Sequence, residues 1–159
     1  VTKYYHVSPS GTLPSLLKPR LPQGEPGVVS YPEPKIPRVS FSDSIARCIS
    51  AIFPTIGDVL DHPVDKSTEL FVYELVGYEK SALIPWQVLS EKRYVHDAHI
   101  THEAWVTKEC RIKKLGSVFI YNTSQVPDID YRPFDDLSLE PRHYGPDFNR
   151  FTLHYTFMR

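Results

Sequence analysis

Eight of the chain's fifteen prolines fall between Pro9 and Pro37, and only seven glycines accompany them in 159 residues. Each proline removes a backbone N–H and turns its predecessor away from helix, so neither a long helix nor an internal strand can run through this stretch. From Pro19 to Pro37 no hydrophobic periodicity survives, and the segment is expected to be an extended loop stiffened by its prolines. Loops of this length inside a compact domain are usually functional or mobile, and the proline density favours a stiff one. Regular structure has to come from the sequence on either side.

Before the prolines, residues 3–7 (Lys-Tyr-Tyr-His-Val) read as a short strand closed by Ser-Pro-Ser-Gly. Leu13, Leu16 and Leu17 are spaced for one helical turn, confined by Pro14 and Pro19. Beyond the loop, residues 38–42 (Arg-Val-Ser-Phe-Ser) read as a second strand running directly into a helix over about 43–53. Ser42 or Asp43 would cap this helix. Ile45, Cys48, Ile49, Ile52 and Phe53 form its apolar face, and Pro54 ends it. Strands are expected at 69–76, 103–108 and 115–121, with one helical turn from Pro85 to Leu89. Residues 122–150 carry four more prolines and read as irregular. Phe151, Leu153, Tyr155 and Phe157 alternate with polar residues, the period of a last strand over 151–157. The sum is α+β: a single domain over 1–159 with a mixed, mostly antiparallel split β-sheet, one clear helix and long proline-rich loops.

Composition narrows the function. Apolar residues at 41 % and charged residues at 23 % suit a folded domain with its own core. No run of 18 apolar residues exists for a membrane helix, and the opening segment lacks the basic-then-apolar pattern of a secretory leader. A formal net charge of −1 argues against a nucleic-acid binder working mainly through phosphates. Cys48 and Cys110 make no disulfide framework and read as reduced thiols of a cytoplasmic protein. Cys48 falls on the apolar helix face; Cys110 lies beside Lys108 and Arg111 without a placed histidine base. His96, His99 and His102 cluster, but no spacing supplies the further ligands of a metal site, and no metal is expected. Lys108, Arg111, Lys113 and Lys114 read as a solvated turn between strands. Nucleophile-elbow, P-loop and dinucleotide-binding glycine patterns are all missing.

Three windows remain. His6-Val7-Ser8 ends the first strand. Pro37 to Asp43 runs the second strand directly into the helix. Thr101-His102-Glu103-Ala104-Trp105-Val106 puts a carboxylate at the mouth of a third strand. Together they resemble the NAD-dependent ADP-ribosyltransferases of the diphtheria-toxin and poly(ADP-ribose) polymerase type. In those, a His-Gly-Ser/Thr triplet, a strand passing into a helix, and a strand-opening Glu form the site. His6 and Ser8 fall on the first motif, Ser40, Phe41, Ser42 and Asp43 on the second, and Glu103 on the third. The resemblance implies that His6 bonds the adenosine-side ribose and that the triplet's backbone grips the nicotinamide amide. It also implies that Glu103 bonds the nicotinamide-side ribose and stabilises an oxocarbenium-like transition state. The sequence is also similar to small, uncharacterised bacterial and phage-borne proteins with a Tyr-His-x-Ser opening, a Leu-x-Pro-Arg-x-Pro loop (Leu17 to Pro22), a Pro-Arg-x-Ser-Phe strand and a Glu-x-Trp-Val strand.

The expected chemistry needs no metal, because the nicotinamide leaving group is good and a carboxylate in a low-dielectric pocket can stabilise the charge at C1′. Arg20 and Arg38 flank the proline-rich loop and are the expected pyrophosphate partners, with the loop covering the dinucleotide. Two departures stand out. Val7 replaces the middle glycine, and Ser40 stands where the family has a stacking tyrosine, a role left to Tyr31 or Tyr94. The leading expectation is therefore an NAD-dependent ADP-ribosyltransferase or NAD glycohydrolase of the toxin or counter-defence kind, acting on NAD and a protein target. The alternative is a non-catalytic interaction or inhibitor protein on the same fold, held by the aromatic tail. A nucleic-acid binder stacking bases on Tyr4, Phe71 or Tyr73 is a weaker third. Convergence of His6 and Glu103 on one cleft separates the first from the others.

Overall fold

The strands expected on either side of the proline-rich segment form, and they pair with each other. The computed structural model describes residues 1–22, 33–52, 68–122 and 151–157. In chain order these give β1 (Tyr5–Ser8), β2 (Leu16–Leu17), β3 (Val39–Ser42), α1 (Ile45–Ile52) and β4 (Thr68–Gly77). A 3-10 turn (Lys80–Ala82), β5 (Leu83–Ile84), α2 (Trp86–Glu91), α3 (Ala98–Thr101), β6 (Glu103–Val106), β7 (Cys110–Asn122) and β8 (Phe151–Phe157) follow. All the strands join one sheet in the order β2-β7-β4-β1-β3-β6-β5, with β8 also paired to β7. Every pairing is antiparallel. The chain is an α+β domain.

The longest ladder is β4 on β7, running from Thr68↔Ile120 to Gly77↔Arg111. Register shifts between Val72 and Tyr73 and between Leu75 and Gly77 bend it, as bulges do. The weakest junction lies at the centre. β1 keeps four partner pairs with β4 but only Tyr5↔Ser42 with β3. The sheet therefore splits between β1 and β3, and His6 fills part of the gap by donating from Nδ1 to the Ser40 carbonyl at 2.8 Å.

Register sorts the side chains of β3 and β6. Residues directly opposite in an antiparallel pair share a face. Val39↔Val106 and Phe41↔Ala104 therefore lie on one face, in a core with Tyr4, Tyr73, Leu75 and Ile112. Ser40↔Trp105 and Ser42↔Glu103 lie on the other. There Trp105 packs with Leu89, Val95 and Ala98 from the α2–α3 region. This short strand pair is thus apolar on one side and carries the polar candidates on the other.

Several local expectations change. Leu16 and Leu17 form no helical turn; they pair with Arg111 and Cys110 as an edge strand, which satisfies backbone groups that Pro14 and Pro19 keep out of a helix. The cap of α1 is Ser44, not Ser42 or Asp43: its carbonyl accepts from Cys48 N at 3.1 Å and its hydroxyl from Arg47 N at 3.5 Å. Arg111, Lys113 and Lys114 belong to β7 rather than a turn. Lys114 reaches the Gly11 carbonyl at 2.9 Å and lies over the Phe71 ring, and Lys108 pairs with Glu79. The strand expected at 103–108 stops at Val106, and the strand expected at 115–121 begins earlier, at Cys110. Tyr31, Phe53, Pro54 and most of the irregular 122–150 segment lie outside the described residues. Among the described residues no helix is long and apolar enough to cross a membrane.

Candidate active site

A cavity of about 200 Å³ opens at the split, with His6, Val7, Ser40, Arg47, Cys48 and Glu103 in its walls. A larger groove of about 800 Å³ begins on the same two residues, His6 and Ser40, and extends along Leu13, Lys18, Arg20 and Arg38. Strand parity alone would separate His6 from Glu103. His6 pairs with Tyr73 on the face of the Tyr4 core, whereas Glu103 shares its face with Trp105. The gap between β1 and β3 brings both into one cavity wall.

Glu103 is the most elaborately held of the candidates. Ser40 Oγ donates to its Oε1 at 2.8 Å, and Trp105 Nε1 donates to the same oxygen at 2.7 Å. Ser40 stands on the neighbouring strand, and Trp105 is two residues along Glu103's own strand, hence on its face. Burial pushes the Glu103 carboxyl above the usual carboxylate range; the Trp105 and Ser40 hydrogen bonds pull it down, Glu33 raises it and Arg38 lowers it. Burial likewise holds the His6 imidazole below its usual range, with the Ser40 carbonyl opposing and Arg20 adding to the fall. Since Nδ1 donates to that carbonyl, the neutral ring leaves Nε2 as an acceptor for a hydroxyl.

The other sequence candidates fall into two groups. Arg20 and Arg38 tie the two ends of the proline-rich segment by reciprocal backbone bonds at 3.3 and 3.0 Å, and both line the groove. Arg38 is buried, with its guanidinium over the Trp105 ring at 3.8 Å and its N–H groups given to Glu33 and to the Pro34 and Ile36 carbonyls. Arg20 is exposed. Ser42 lines the cavity, but its hydroxyl donates to the Thr101 carbonyl at 2.7 Å and so ties β3 to α3. Ser8 lines neither cavity; its Oγ accepts from Ser10 N at 3.1 Å in the turn after β1. Tyr94 stacks on Trp105 with ring centroids 6.1 Å apart.

Asp43, matched to the second motif, shapes the site in a different way, as do His102 and Cys48. Asp43 bridges His102, Nδ1 to Oδ2 at 2.7 Å, and Arg47 at 3.3 Å, and His102 stacks on Trp86 at 4.3 Å. His102 has φ 49°, a left-handed backbone that turns the chain sharply from α3 into Glu103. The Cys48 thiol, bonded to the Tyr5 carbonyl at 3.2 Å, is pushed up to about 12 by burial and is no nucleophile at neutral pH. Among the described residues no group of three or more His, Cys, Asp or Glu is placed to hold a metal ion. Tyr4 and Tyr73 are core residues and present no open stacking face; Tyr73 donates its hydroxyl to the Ser10 carbonyl at 2.8 Å. No family model, curated protein or solved structure matches the chain.

Proposed function

We propose that the chain cleaves the nicotinamide–ribose bond of NAD, as an ADP-ribosyltransferase or NAD glycohydrolase. The observation that carries this reading is a half-buried carboxylate, Glu103, fixed by two donors in the same cavity wall as the neutral His6. NAD would lie across the split. Its nicotinamide riboside end would occupy the small cavity against the Val7 backbone, and its diphosphate would follow the groove toward Arg20. Glu103, ionised, accepts a hydroxyl of the nicotinamide-side ribose, and His6 Nε2 accepts one from the adenosine-side ribose.

In the reaction, the bond between C1′ and the nicotinamide nitrogen breaks and its electron pair neutralises the pyridinium ring. The positive charge left on C1′ and its ring oxygen is stabilised by Glu103, which acts strongly because Ser40 and Trp105 already fix it in place. A nucleophile then attacks C1′ and releases its proton to solvent. Water gives free ADP-ribose; a side chain of a protein target gives a modified protein. The middle of the loop expected to cover the dinucleotide, residues 23–32, lies outside the described residues; its two ends are tied at Arg20 and Arg38.

The experiment is nicotinamide release from NAD by the wild-type chain, Glu103→Gln and His6→Ala. Release by the wild type, strongly reduced in both variants, is the expected result. Release undiminished in Glu103→Gln would remove the carboxylate from the chemistry. Absence of release and of NAD binding by the wild type would favour the interaction-protein reading on the same fold.

A further inference from the structure

Trp105 is the most buried large side chain near the cavity, 0 % exposed, yet its one polar atom is not spent on the core. Nε1–H donates to Glu103 Oε1 at 2.7 Å. The ring itself is clamped. The Arg38 guanidinium lies 3.8 Å from its centroid, with a side chain only 5 % exposed, and Tyr94 runs nearly parallel to it at an interplanar angle of 10°. Arg38 is in turn fixed by Glu33 and by the Pro34 and Ile36 carbonyls, at the end of the proline-rich segment. A chain of contacts therefore runs from that segment through Arg38 and Trp105 to one oxygen of Glu103. Among the described residues no donor reaches Oε2.

We infer that Trp105 is a positioning residue: its indole N–H, held by Arg38 and Tyr94, fixes Oε1 of Glu103 and leaves Oε2 to meet the substrate. Its consequence for turnover rests on the NAD reading above; the hydrogen bond to the ionised carboxylate does not. This also gives Arg38 a different duty from that of Arg20. With its guanidinium on the indole and its Nη1 and Nη2 groups given to Pro34, Ile36 and Glu33, Arg38 supports the carboxylate while Arg20 is left to meet an anion. Donation to the charged form favours ionisation, so losing the indole N–H should make Glu103 harder to ionise. Among the described residues, the other charged or titratable groups around Glu103 are Glu33, Arg38, Arg47, Cys48, His6 and the His102–Asp43 pair, and all of them remain in a Trp105 variant.

The test uses the full chain in two ways. In the wild type, labelled with nitrogen-15 at its two tryptophans and carbon-13 at glutamate carboxyls, one indole N–H signal should titrate with the same midpoint as Glu103. Assignment comes from Trp86→Phe, and the response should vanish in Glu103→Gln. An assigned Trp105 signal that ignores the Glu103 titration overturns the inference without any reference to activity or to how a variant folds. In Trp105→Phe, the Glu103 midpoint should move upward. If the wild type releases nicotinamide, kcat should fall by about ten- to a hundredfold with KM little changed, the loss expected for one hydrogen bond to a charged group. A folded Trp105→Phe chain with an unmoved Glu103 midpoint also overturns it. A wild type that releases no nicotinamide but shows the coupled titration defeats the NAD reading and leaves the positioning intact.

Discussion

The two hollows that meet at His6 and Ser40 differ in size, charge and support. The small one, about 200 Å³, is walled by strand and helix residues, and its carboxylate is held from two sides. The groove, about 800 Å³, is walled largely by the β2 region and the ends of the proline-rich segment; among the described residues its lining includes Lys18, Arg20 and Arg38 and no carboxylate. Chemistry that needs atoms fixed to a fraction of an ångström belongs on rigid elements, whereas a diphosphate needs mainly positive charge and room. On the proposed reading, bond breaking falls to the small cavity and affinity to the groove. One ligand across both would have its two halves under separate control.

That division can be broken most directly at Glu103. Glu103→Gln should lower kcat on the order of 10² to 10³-fold, the size seen when one group stabilising transition-state charge is removed, while NAD affinity stays close to wild type. Steady-state kinetics beside calorimetric binding reads both quantities. Arg20→Ala should do the reverse: affinity weaker by about tenfold, with kcat retained. The wild-type affinity should also fall with added salt, as an exposed guanidinium contact does. An equal effect of both substitutions on kcat and affinity would erase the distinction between the two hollows.

A pH profile sharpens it further. The proposed reaction needs Glu103 ionised, and burial raises that carboxyl above its ordinary 4.5. Activity should therefore fall as pH falls, with a limb lying above 4.5 rather than on it. His6 must be neutral to accept, and its depressed value keeps it neutral down to somewhere below 6.5. His6→Ala should leave the Glu103 limb in place. The smallest effect is expected at Cys48. A thiol pushed up to about 12 and bonded to the Tyr5 carbonyl should resist alkylation at neutral pH, and exposure of the folded chain to iodoacetamide should leave activity unchanged.

Much of the frame was legible because its signals are local. The apolar spacing of Ile45, Cys48, Ile49 and Ile52 specifies α1, and the alternation of residues 151–157 specifies β8. Glu103 and Ser40 were legible as candidates, and they meet at 2.8 Å. Other features depend on who sits opposite, which no local period records. Leu16 and Leu17 have helical spacing but take the free edge of β7. Ser42 has a cap's chemistry, yet its hydroxyl is taken by Thr101 across 59 residues. Arg38 reads as a phosphate ligand until the cross-strand register lays it on Trp105. Trp105 itself was visible only as part of a Glu-x-Trp-Val strand; its spacing of two from Glu103 was the available sign that both share a face.

The central claim is that one NAD molecule occupies both hollows, and its most direct test is binding of an NAD analogue with a carbocyclic ring in place of the nicotinamide-side ribose, which cannot lose nicotinamide. Titrated calorimetrically, it should bind wild type and Glu103→Gln with similar affinity and bind Arg20→Glu more weakly. No binding to the wild type, or binding that ignores Arg20→Glu, would contradict the account.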